Sequence, residues 1–301
     1  MMTLAVALGA TLLTLYIAAQ GRPPRTIHVP ADYPRIQQAI DSAREHDTVL
    51  VAPGRYYENL RLKGRNIVLA SEFLTTHDTS LIARTILDGS RPTHPDSGTV
   101  ITIYHFEDST TLVEGFTITG GTGTVWYDNK DKILFREGGG LLIDLAGPTI
   151  RSNVITGNRA DTTREGVLSA GGGGVRVGFA DPILERNVIT HNSARYGGGV
   201  VLFYAAAILR GNVITENEGG EDFGGAGLWM WGQLTRRLPY VIEGNVIRNN
   251  HARGPDGRSR LSRPPPMAGR GGGLSVRDAA AVMRDNIIRD NTPNDVENVP
   301  R

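Results

Sequence analysis

The sequence predicts an all-β, single-stranded parallel β-helix, a three-sheet solenoid with a short N-terminal capping helix. Three observations carry this. One pattern recurs five times: GGGLLIDLAGPTIRSNVITGN, GGGGVRVGFADPILERNVITHN, GGGVVLFYAAAILRGNVITEN, GGAGLWMWGQLTRRLPYVIEGNVIRNN and GGGLSVRDAAAVMRDNIIRDN. Its spacing is strict within a turn. Gly140 and Asn153, Gly174 and Asn187, Gly199 and Asn212, and Gly273 and Asn286 are each thirteen residues apart, and Gly227–Asn245 alone is longer, near Gln233–Arg237. Between turns, the distance from the second Asn to the next glycine cluster varies from seven to twenty-three residues. Fixed corners with one variable corner describe a solenoid whose insertions emerge on one face. Finally, Val, Ile and Leu fill three short strand positions per turn, and no 3.6-residue period runs through the repeats.

Each element has a reason. The first Asn of each turn (Asn153, Asn187, Asn212, Asn245, Asn286) marks a corner, where Asn tolerates a left-handed bend and its amide can bond along a stacked column. The glycines serve the opposite corner, where the chain returns from a loop. The Gly-Gly-Gly-[Val/Leu] and Asn-Val-Ile-x-x-Asn elements resemble the right-handed parallel β-helices of the pectin-lyase-like superfamily and the short repeats of bacterial surface β-helix proteins. The resemblance spans about Thr26–Asn298. It implies a right-handed coil, an internal Asn ladder and a substrate cleft for polysaccharides on the first sheet of each turn.

Taken in order, Thr3–Ala19 is an uncharged apolar run ending in small residues. Residues 1–21 therefore read as a secretory signal peptide cleaved near Ala19 or Gly21, with an uncleaved anchor as the rival and the only membrane contact. Arg22–Arg25 reads as a linker and residues 26–298 as the β-helix domain. Asp32–Ala43 places Ile36, Ala39, Ile40 and Ala43 on one helical face, a cap for the open solenoid end. The run through Asp47–Val51, Tyr56–Leu62 and Ile67–Ala70 resembles the capped start of pectin-lyase-like chains. Thr85–Gly89, Val100–Ile103 and Leu112–Gly120 are less regular coils, the last with Phe116 where Asn would stand, so the ladder starts at Asn153. Insertions fall at Thr122–Glu137, Arg159–Ala170, Glu218–Asp222 and His251–Arg270, the last containing Arg263-Pro-Pro-Pro266. Val296 is expected to pack on the terminal layer.

Composition narrows function. A net charge of +1 gives no electrostatic case for nucleic acid. Cysteine is absent, so the redox compartment is not readable. The seven His residues show no metal-ligand spacing. A secreted, periplasmic or surface monomer is expected.

Period-2 alternation sends Leu142, Arg176, Val201, Trp229 and Ser275 outward as one column, and Asp144, Gly178, Phe203, Trp231 and Arg277 as the next. Phe203, Trp229, Trp231 and Arg277 are the candidate substrate-binding residues, since aromatic faces stack on sugars and Arg pairs with carboxylates. An acidic glycan is a coherent ligand on that basis. The bland alternative packs the apolar members under the insertion loops. Asp144 is the one carboxylate in these columns, and a glycosidase needs two. Partners would come from Glu137, Asp161, Glu165, Glu221, Asp222 or Asp256. The resemblance implies a β-eliminating lyase as one chemistry, with Arg176 as base beside Asp144 and calcium neutralising the uronate. The plainer reading of Arg176 and Asp144 is a cross-strand ion pair. The paired Asp motifs of pectin methylesterases and the Asn-Thr-Asp, Gly-His-Gly and Arg-Ile-Lys elements of polygalacturonases are missing. The sequence thus leaves open a protein that binds and cleaves a polysaccharide, or a non-catalytic carbohydrate-binding, surface or scaffold module.

Overall fold

The computed structural model describes residues 23–128, 132–232, 238–255 and 268–299. The proposed signal peptide, the long part of the fourth-turn insertion and the Pro-rich stretch lie outside them. No helix among the described residues is long and apolar enough to cross a membrane.

Alternating aliphatic residues with glycine and Asn at fixed corners fold into three long parallel sheets. The first runs Leu60–Arg61, Ile101–Ile103, Leu141–Asp144, Val175–Gly178, Val200–Phe203, Leu228–Trp231, Leu274–Arg277 and Val296–Val299. The second contains Leu112–Glu114, Thr149–Arg151, Ile183–Glu185, Ile208–Arg210 and Tyr240–Glu243, and the third Thr117–Thr119, Val154–Thr156, Val188–Thr190, Val213–Thr215 and Val246–Arg248. Register is exact from coil to coil, so like stacks on like. In the first sheet Leu141, Val175, Val200, Leu228 and Leu274 form one fully buried column. Ile150, Leu184, Leu209 and Ile242 form another, and Ile155, Ile189, Ile214 and Ile247 a third. Each side chain removed from water is worth about 1.5–3 kcal/mol, so each coil is stabilised mainly by its two neighbours.

Asparagine makes two ladders rather than one. The first runs Asn153–Asn187–Asn212–Asn245–Asn286. Each Nδ2 donates to the next Oδ1 at 2.9–3.2 Å, and each backbone N–H donates to the same oxygen at 2.9–3.1 Å. The second joins Asn158, Asn192, Asn217, Asn250 and Asn291 in the same way. Phe116 ends the first ladder as expected: it has no amide, but its N–H donates to Asn153 Oδ1 at 3.0 Å. The expected left-handed Asn is corrected. The positive φ belongs to the residue before each first-ladder Asn: Ser152, Arg186, Gly211, Gly244 and Asp285. That bend is what turns the following amide inward. At the opposite corner, Gly172 takes φ +66°, and a Cβ on Gly173 would stand 2.4 Å from Ser193 O, so only glycine fits.

The capping helix is Ile36–Ser42, shorter than Asp32–Ala43 because the Glu58 carboxylate caps it. Glu58 accepts the first helical N–H groups, Ile36 at 2.9 Å and Gln37 at 3.1 Å. Ile36, Ala39 and Ile40 are fully buried over the first coil. Two short helices, Phe73–Thr76 and Ser80–Arg84, precede the first of the less regular coils. At the far end Val296 stacks in register on Leu274, and its side chain stays 45% exposed.

One insertion is not a plain loop. Gly123–Asp128 and Ile133–Glu137 form an antiparallel hairpin, and Glu137 pairs onward to Gly171 of the strand Val167–Gly171. This hairpin stands over the first sheet and walls its outer face.

Candidate functional site

The two outward columns of the first sheet have different fates. In the first, Val201 and Trp229 are buried, packed with Tyr196 and with Phe223 of the 218–226 loop. Trp229 is 3% exposed, and its indole N–H donates to Phe223 O at 3.2 Å. It belongs to a buried cluster with Tyr196 and Val201. It nonetheless counts among the residues lining the cleft, where it forms part of the floor and offers little surface. The second column stays partly open. Phe203 and Trp231 meet edge-to-face at 5.9 Å, and both line a cleft of about 590 Å³. The facing wall is Trp126 and Phe135 of the hairpin, stacked at 5.3 Å. Phe179 and Tyr204, stacked at 5.8 Å, form the rim. A smaller cavity of about 290 Å³ continues it past Trp126 and Phe179 toward Asp144, Thr102 and Arg61.

Arg176 sits at the join of the two cavities. Its Nη1 donates to Asp144 Oδ1 at 2.7 Å. Its Nε lies 2.8 Å from Glu137 Oε2, at an angle that makes an ion pair rather than a hydrogen bond. Glu137 is itself occupied: Trp126 Nε1–H donates to it at 2.9 Å, and the Tyr196 hydroxyl donates to its other oxygen. Burial alone would favour neutral Arg176, but the Glu137 and Asp144 carboxylates more than offset it and raise its pKa. Burial, reinforced by Glu137, pushes the Tyr196 hydroxyl well above the usual phenol range. Arg176 thus ties the sheet to the hairpin through two ion pairs. Asp144 keeps 34% of its side chain exposed in the smaller cavity.

Of the binding candidates, Phe203 and Trp231 line the cleft, and Arg277 lies past its end. The Arg277 guanidinium covers the Trp231 ring at 4.5 Å and approaches Asp278 at 3.8 Å. Of the loop carboxylates named as partners for Asp144, Glu137 alone reaches the cleft among the described residues. Asp161 and Glu221 line a separate polar groove of about 560 Å³ with Arg159, Arg195 and Arg253. Asp222 is buried in a bidentate pair with Arg195 at 2.7 and 2.8 Å. Glu165 is exposed, and Asp256 lies outside the described residues. Among the described residues, no three His, Asp or Glu side chains gather as a metal set.

Trp126, Phe135 and Tyr196 escaped sequence reasoning. A signal for the first two existed: two β-prone runs, Thr124–Tyr127 and Ile133–Phe135, flank Asp-Asn-Lys-Asp, a turn composition.

A three-sheet parallel solenoid with a loop-walled aromatic cleft on one sheet is the class that fold and site define. The chain belongs to the right-handed β-helix family: the model described as "Right handed beta helix region" matches residues 96–298. This agrees with the resemblance drawn from the repeats. No curated protein sequence matches. Among solved structures, a pectin methylesterase variant in complex with a hexasaccharide is similar at 12% identity and TM-score 0.41, covering 89% of this chain and 81% of that one. Carrot pectin methylesterase is similar at 10% identity and TM-score 0.39, covering 93% and 89%. An alginate lyase from Paenibacillus is similar at 13% identity and TM-score 0.28, covering 91% and 99%. These are likenesses of chain path and carry no chemistry to this chain.

Proposed function

We propose that this chain is an exported β-helix protein that binds a polysaccharide in the first-sheet cleft without cleaving it. The aromatic lining carries the reading. Phe203, Trp231, Phe179, Tyr204, Trp126 and Phe135 converge on one elongated, loop-walled cavity. Such rings pack against the C–H faces of sugars, and a rigid sheet holds them in place at little entropic cost. Export rests on the apolar run Thr3–Ala19.

The same geometry argues against cleavage. A lyase base must shed its proton, and Arg176 is held charged by two carboxylates. A hydrolase needs two carboxyl groups across an open gap, whereas Glu137 and Asp144 both turn onto Arg176.

Affinity electrophoresis through a panel of polysaccharides tests the reading. Retardation by at least one glycan is expected, lost in Trp231→Ala and Phe203→Ala proteins that keep the wild-type circular dichroism. The same incubations, with and without calcium, are followed for unsaturated ends and new reducing ends. Product formation abolished by Asp144→Asn or Arg176→Ala would replace binding with catalysis. For export, the protein recovered outside the cytoplasm should begin near Gln20 or Arg22.

A further inference from the structure

We infer that the cleft takes an uncharged sugar chain and discriminates against polyuronates, an inference that rests on the glycan-binding reading above. A polyuronate brings one negative charge per ring and needs cations placed to meet them. The aromatic cleft itself has none to spare, and its extension has only the exposed Arg61, three coils from Arg176. Arg61 and Arg176 are their positive lining residues; Asp128, Glu137 and Asp144 are their negative ones. Without Asp128 the two signs merely balance. Arg176, the cation at the centre, has its guanidinium engaged by Glu137 and Asp144 and is 5% exposed. Arg277 stands beyond the lining, laid on Trp231 and facing Asp278.

The half-exposed Asp144 carboxylate is the group a ligand meets beside Arg176. It would accept a sugar hydroxyl and repel a uronate. Like charges in a partly desolvated cleft interact more strongly than in water. The remaining surface is aromatic and suits the uncharged faces of pyranose rings. The binding term is therefore burial and stacking, which salt does not screen.

Isothermal titration of the full chain with hexasaccharides of equal length tests this. The neutral probes are cellohexaose, xylohexaose and mannohexaose; the acidic ones are hexagalacturonate and hexamannuronate. At least one neutral probe should bind about tenfold or more tighter than either uronate, a gap of about 1.4 kcal/mol. That affinity should hold from about 20 to about 500 mM NaCl, since added salt weakens only screened charge contacts. Asp144→Asn should narrow the gap severalfold by strengthening uronate binding. A uronate that binds more tightly than every neutral probe, and weakens with salt, would overturn the neutral class and leave the glycan reading standing. Binding of no hexasaccharide of either kind would overturn both.

Discussion

At the residue scale, buried polar groups are placed where they tie one part of the chain to another. Arg176 links the sheet to the hairpin through Asp144 and Glu137. Replacing it with Met leaves two buried or half-buried carboxylates without their cation. A loss of about 3–5 kcal/mol is expected in urea unfolding, with weaker glycan retardation. Asn212 sits mid-ladder. It donates to Leu184 O at 2.8 Å and Asn245 Oδ1 at 2.9 Å, and accepts two N–H groups from Asn187. Asn212→Ala leaves the Asn187 backbone N–H without its acceptor and removes the side-chain bonds to Leu184 and Asn245, and should cost about 3 kcal/mol by the same measurement. A loss below about 0.5 kcal/mol would mean water satisfies the corner.

At the element scale, the cap and the hairpin have different duties. The helix Ile36–Ser42 closes the hydrophobic end, with Ile40 fully buried. Ile40→Ala should cost about 2–5 kcal/mol by cavity formation, read as a lower thermal midpoint. The hairpin contributes one cleft wall rather than the core. Trp126→Ala removes a ring that stacks on Phe135 and bonds Glu137. It should reduce glycan retardation more than it reduces the thermal midpoint. The repeat marks Thr122–Glu137 only as an insertion, because the hairpin's strand pairing is antiparallel and local.

At the scale of the whole molecule, acidic side chains pin the start of the solenoid. Burial would raise the Asp47 pKa, but N–H donors from Arg25 and Arg44 and the Arg25 guanidinium lower it. Asp88 is lowered likewise, by Ser90 and Arg55 against its burial. A carboxylate whose folded pKa is depressed stabilises the fold above its unfolded pKa of about 3.9, and that contribution is lost as pH falls through the folded value. Stability should therefore fall on acidification below about pH 4. Asp47→Asn should lower the thermal midpoint at neutral pH, and its difference from wild type should narrow as the pH falls below about 4, measured by circular dichroism.

The sequence by itself determined the coil. The thirteen-residue spacing, the two Asn columns and the alternating aliphatic residues place Leu141, Ile150 and Ile155 inward without any long-range information, because each coil repeats its neighbour's contacts. It also separated the outward columns and singled out Phe203 and Trp231. Only the tertiary structure decided which outward residues meet solvent. Trp229 and Trp231 are two residues apart on the same face of one strand and both line the cleft, yet Trp229 is almost wholly buried and Trp231 only half-buried. The difference lies in an insertion that obeys no repeat: Phe223 of the 218–226 loop packs on Trp229 and accepts its indole N–H. Glu137, far from Arg176 in sequence and absent from the repeat, becomes its partner for the same reason. Periodicity fixes whatever a residue shares with its copies; it is silent on contacts made once.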